Sequence, residues 1–275
     1  MKLAPATARQ RGFALLIVLW TLALLALIGT QVTAAGHGET RLATNMRASA
    51  VAEEAADGAV FEALFHVLDG SDQHWPADGR PRRIRTALAV IDVTVVDEGR
   101  KMTLNNSSLP MLRGLLHAVG LDQTLATTLT DQIADWRSPA NYPLPHGAKG
   151  PQYRAAGREY GPPNQPFRSV DELALVLGMT PEALARIRPY VSPYVESAPK
   201  AEGADPVILQ ALTDAQVGGT PALAFDEPAT LTITAVAVTN GARFMRRAVA
   251  RLNTDQLAGA NSPQFIMLNW DAGDT

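Results

Sequence analysis

Between Gly12 and Gly38 the chain holds no Asp, Glu, Lys or Arg, and Phe13 to Ile28 (FALLIVLWTLALLALI) is apolar at every position except Thr21. A helix from Phe13 to Ala35 would rise about 35 Å at ~1.5 Å per residue, enough to span a hydrocarbon core of about 30 Å. Lys2, Arg9 and Arg11 all precede the run. The positive-inside rule therefore leaves a short cytoplasmic N-terminus and exports the remainder. Three fates are open to such a segment. It can be a secretory signal cut after Thr33-Ala34-Ala35, an uncleaved anchor, or a prepilin-type segment whose leader ends at Gly12 and whose apolar helix stays on the mature protein.

Helical spacing continues past the apolar run. Leu42, Met46, Ala52, Ala56, Ala59, Val60, Ala63, Leu64 and Val67 recur three and four apart, with Arg41, Arg47, Glu53, Glu54, Asp57 and Glu62 between them. This predicts one rod from Phe13 to Leu68, about 84 Å at ~1.5 Å per residue, with Gly29, Gly36 and Gly38 as its weak points. Residues 71 to 83 read as a turn-rich connection. Ile91, Val93 and Val95 alternate with Asp92 and Thr94 as a half-buried strand, and Asp97 to Arg100 followed by Lys101 to Asn105 reads as a hairpin return.

Leu112, Leu115, Leu116 and Val119, then Leu125, Leu129, Ile133 and Trp136, are helically spaced, and Ser169 to Tyr190 gives two short helices around Gly178 to Pro181. Arg137 to Gln165 is too rich in proline and glycine for regular structure. A linker from Val195 to Asp205, a short helix from Val207 to Asp214, and strands over Leu231–Thr239, Phe244–Leu252 and Gln264–Trp270 complete the chain. The expected fold is α+β, a long N-terminal helix packed on an antiparallel sheet with a large all-α insertion. Its parts are a leader (1–12), a transmembrane helix (13–35), an amphipathic helix with the first strands (36–106), the insertion (107–194) and the rest of the core (195–275).

Charge and composition narrow the function. Lys plus Arg number 24 against 27 acidic residues, and without Lys2, Arg9 and Arg11 the balance is 21 against 27, a sign that opposes a nucleic-acid partner. With no cysteine there is no thiolate nucleophile and no disulfide framework. No hydrolase, metalloprotease or phosphate-loop motif is present, so no catalytic residue is assigned and a membrane-anchored hydrolase lacks nucleophile and base. Glu62 with His66 and Asp131 with Asp135 lie four apart on predicted helices, where such pairs usually sit on solvated surface or serve as caps. The two helices around Gly178 suggest a helix-hairpin-helix DNA reader as an alternative, against which Pro181 removes an amide from the turn.

In combination, Arg11-Gly12 before the apolar run, Val96-Asp97-Glu98-Gly99-Arg100-Lys101-Met102-Thr103-Leu104-Asn105, Asp131 to Trp136, Tyr160 to Leu173 and Gly178-Met179-Thr180 resemble the type II secretion system minor pseudopilin K family. The resemblance implies cleavage by prepilin peptidase between Gly12 and Phe13 and N-methylation of Phe13. It also implies a place beside minor pseudopilins I and J at the tip of a periplasmic pseudopilus anchored in the inner membrane. A type IV pilus tip is the nearest alternative.

The common pilin pattern has glutamate as fifth mature residue, and here that position is Ile17. Without that carboxylate a subunit cannot neutralise a neighbour's N-terminal amine in hydrocarbon, where an unpaired charge costs roughly 2.5–3.5 kcal/mol, which suits a filament end. Family members often bind calcium after the Asp-Trp phrase. Here Arg137-Ser138-Pro139-Ala140-Asn141 follows, with Lys149 beyond, leaving Asp131, Asp135 and Asn141 as a thin donor set for an ion that takes six to eight oxygens.

Overall fold

The computed structural model describes residues 10–201, 203–215, 229–253 and 264–273. Helix α1 (Gln10–Leu68) runs unbroken for 59 residues, through Gly29, Gly36 and Gly38. Its buried stripe begins at Ala52 and continues through Ala56, Ala59, Val60, Ala63 and Leu64, while Leu42 and Met46, expected on that stripe, are exposed. Strands β1 (Arg82–Arg85), β2 (Val90–Asp97), β5 (Thr230–Val238), β6 (Arg243–Leu252) and β7 (Phe265–Ala272) form an antiparallel sheet in the order β1-β2-β5-β6-β7.

Alternation places Ile91, Val93 and Val95 of β2 opposite Ala237, Ala235 and Ile233 of β5 on one face, against α1. Alanines on both surfaces let helix and sheet approach closely. Arg246 of β6 fastens the layers: its Nε donates to Asp57 Oδ1 at 2.6 Å and its Nη2 to Glu53 Oε1 at 2.9 Å, both on α1. The rings of Phe244 and Trp270 lie 4.9 and 5.1 Å from the guanidinium carbon, a geometry that adds cation–π attraction.

Between β2 and β5 the chain leaves the sheet to build a second core from β3 (Met102–Thr103), α2 (Leu109–Ala118), α3 (Gln123–Arg137), α4 (Gly150–Ala155), α5 (Pro181–Ile187), β4 (Val191–Ser192) and α6 (Pro206–Asp214). Leu112, Leu115, Leu116, Leu129, Ile133, Tyr153, Leu173 and Ile187 are buried together. This body is not confined to 107–194. Met102 and Leu104 before it and Ile208 and Ala211 after it share its core, and a Cβ on Gly114 of α2 would lie 2.5 Å from the Ala211 carbonyl of α6.

Four local expectations are corrected. The hairpin return does not form: Glu98–Arg100 is a 3-10 turn, and Met102–Thr103 pairs in parallel with Val191–Ser192 instead of with β2. The connection 71–83 gives way to an edge strand at Arg82, and the loop 137–165 contains α4. Of the two helices around Gly178, the first is a 3-10 segment, Val170–Leu175.

Candidate functional site

Phe13, Leu15, Leu16, Ile17, Val18, Leu19, Trp20, Leu22, Leu24, Leu25, Leu27 and Ile28 are all exposed, so this part of α1 is apolar around its whole circumference. The one hydroxyl in it is satisfied locally, with Thr21 Oγ1 donating to Val18 O at 2.9 Å. Each such side chain forfeits about 1.5–3 kcal/mol if left in water. A helix with no polar face needs an apolar surrounding supplied from elsewhere. Ile17 lies on one strip with Phe13, Leu16, Trp20, Thr21 and Leu24.

Among the described residues no helix is long and apolar enough to cross a membrane. The apolar run with described side chains, 13–28, rises about 24 Å at ~1.5 Å per residue. The rest of the expected span, 29–35, and the Thr33-Ala34-Ala35 alternative have side chains outside the described residues, as does the leader over 1–9. The backbone is helical across Gly12 and Phe13.

The junction between the two cores is built from the Val96–Asn105 phrase. Asp97 Oδ1 caps the 3-10 turn by accepting from Gly99 N at 2.8 Å. Buried Glu98 accepts from Lys101 Nζ at 2.6 Å and from Thr232 Oγ1 of β5 at 2.8 Å. Asn105 bridges outgoing and returning chain: its Nδ2 donates to Phe167 O at 3.1 Å and Pro193 O at 3.0 Å, and its Oδ1 accepts from Phe167 N at 2.7 Å. Arg137, at the end of α3, donates to the carbonyls of Leu104 and Ser107.

The second cluster lies where α3 meets its following loop. Asp131 and Asp135 are 4% and 2% exposed, so the expectation of a solvated pair is overturned. Asp131 Oδ2 accepts from His146 N at 3.1 Å and Asp135 Oδ2 from Leu144 N at 3.0 Å, wrapping the loop over the helix. Gly147 is required there, because a Cβ would fall 1.8 Å from Asp135 Oδ2. Burial pushes the Asp135 carboxyl above its ordinary pKa, opposed by the Leu144 amide and the Lys149 charge.

This donor set does not suit calcium. The two carboxylates are committed to loop amides, Asn141 is exposed, and among the described residues no three His, Cys, Asp or Glu side chains form a group that could hold a metal ion. Sequence reasoning did not find Gly147, Asn164 or Arg246.

A long helix packed on an antiparallel sheet, with a helical body inserted between two of its strands, defines the pilin-like α+β class. Comparison with known proteins narrows it. Residues 87–196 match the family described as Type II secretion system (T2SS), protein K. The type II secretion system protein K of Pectobacterium carotovorum subsp. carotovorum is 29% identical over 207 residues, covering 67% of this chain and 63% of that protein. That of Klebsiella pneumoniae is 30% identical over 205 residues, covering 66% and 62%. The chain thus spans a little under two thirds of the length of these curated relatives.

A chain of the crystal structure of the GspK-GspI-GspJ complex from enterotoxigenic Escherichia coli superposes with a TM-score of 0.60 at 16% identity. It covers 87% of this chain and 99% of that one, a likeness of fold. Over residues 87–196 the chain is therefore similar to the type II secretion system protein K family, and the curated relatives it matches carry that name.

Proposed function

We propose that the protein is a minor pseudopilin of the type II secretion system that sits at the pseudopilus tip beside minor pseudopilins I and J and starts or caps the filament. Its role is structural, not enzymatic. The observation that carries this reading is α1 itself, which is apolar on all sides over residues 13–28 and is built into a folded body from Ala52 onward. In this account residues 13–35 form a single-pass inner-membrane anchor, with the body in the periplasm. Prepilin peptidase cuts between Gly12 and Phe13, and Phe13 is then N-methylated.

Ile17 fits an end position because it offers no carboxylate to a following subunit's amine. The likeness in fold to a chain of a K–I–J complex supports the choice of partners. Co-expression with minor pseudopilins I and J, followed by detergent extraction and size-exclusion chromatography, tests the reading. A ternary complex is expected, and persistent elution of the protein alone would contradict it. An Ile17→Glu variant should enter filaments away from the tip, and unchanged tip assembly would remove Ile17 from the argument.

A further inference from the structure

Lys149 is 4% exposed, an unusual setting for an ammonium group. Its Nζ donates to Asp135 O at 2.6 Å, Ser138 O at 2.8 Å and Asn164 Oδ1 at 2.8 Å, which uses all three of its protons. Two of these acceptors belong to the C-terminal end of α3, where the helix dipole is negative. The third comes from the far end of the loop. Asn164 is the one non-glycine residue with positive φ (56°) among the described residues, a conformation asparagine tolerates better than most. Its side chain reaches the ammonium from that constrained backbone. On the other side, Lys149 N donates to Gln152 Oε1 at 3.0 Å, tying the same residue to the start of α4.

We propose that the Lys149 ammonium is the resident cation of the 138–165 loop, closing it onto α3 without a bound metal ion. A free divalent ion taking the Asp135, Ser138 and Asn164 oxygens at 2.3–2.6 Å would occupy nearly the same place as Nζ, so the two exclude each other. The acidic side chains reinforce the tether, since Asp131 and Asp135 hold the amides of His146 and Leu144 instead of a metal. Lys149 also faces the Asp135 charge, and burial lowers its pKa from the ordinary 10.5 while that carboxylate raises it.

Limited trypsin digestion of the full chain in detergent, followed by mass spectrometry of cuts after Arg154 and Arg158, reads loop closure directly. The wild-type rate is expected to be the same in EDTA and in millimolar calcium. Lys149→Met keeps the aliphatic stem but orphans three acceptors, and should be cut about tenfold faster. Asn164→Gly retains the backbone conformation, loses one acceptor, and should be cut about threefold faster with circular dichroism unchanged. Should Lys149→Met fail to fold, Asn164→Gly decides the question. Acceleration of wild-type cleavage by EDTA, protection of it by calcium, or wild-type rates in the folded variants would overturn the proposal.

Discussion

The two cores of this protein are built on opposite principles. Where α1 meets the sheet, Ala52, Ala56, Ala59 and Ala63 face Ala235, Ala237, Ala248 and Ala250, and regular elements pack closely with small side chains. The inserted body uses Leu112, Leu115, Leu129, Trp136, Tyr153 and Phe167, carried on short helices and long loops. Small residues fix the distance between two long elements, and large ones fill the irregular space that short elements leave. The first core is therefore sensitive to added volume and the second to removed volume.

The largest expected effect is in the second core. Leu129→Ala removes a fully buried side chain and should cost about 2–5 kcal/mol. Hydrogen exchange should show that loss in α2, α3 and α6 while α1 and β5 keep their protection. Uniform loss across both cores would break the comparison.

Alkali provides the next contrast. Burial pushes Tyr153 up to about 12, whereas an unfolded tyrosine titrates near 10. Because the folded value is the higher one, the contribution of Tyr153 is complete below about pH 10 and is lost as pH rises toward 12, an effect of roughly 2–3 kcal/mol. Denaturant unfolding across that window should show the slope, and Tyr153→Phe should flatten it while losing about 1 kcal/mol for the Leu177 amide bonded to the phenol.

In the first core, Ala56→Leu should cost about 1–3 kcal/mol by forcing helix and sheet apart. A neutral result in thermal melts would show that the alanine contact has slack. Smaller still is Arg246→Met, about 1–2 kcal/mol, since Glu53 and Asp57 remain partly open to solvent after the clamp is lost. Its signature should be faster exchange in α1 near Asp57, not in the inserted body.

The same contrast explains what could be read beforehand. The α1 stripe and the alternation in β2 and β5 were legible because a single period is repeated over many residues. Strand β1 was not, since it has four residues at a sheet edge, three of them arginine. Strand β3 was misread because Asp97 to Arg100 has local hairpin chemistry, whereas its partner, Val191–Ser192, is remote in sequence.

Of the candidate site, the exposed apolar helix was legible from composition alone. The Lys149 tether was not, because no short-range pattern distinguishes a surface lysine from one whose ammonium meets Asp135, Ser138 and Asn164. Asp131 and Asp135 have the same spacing as an exposed i, i+4 pair, and only the loop folded over them buries both.

Retention of residues 13–35 on the mature protein, as the proposed anchor, depends on where the chain is cut. Intact mass and N-terminal sequencing after expression with and without prepilin peptidase test it most directly. A peptidase-dependent start at methylated Phe13 is expected. A start after Ala35, or an unprocessed chain in the presence of the peptidase, would contradict it.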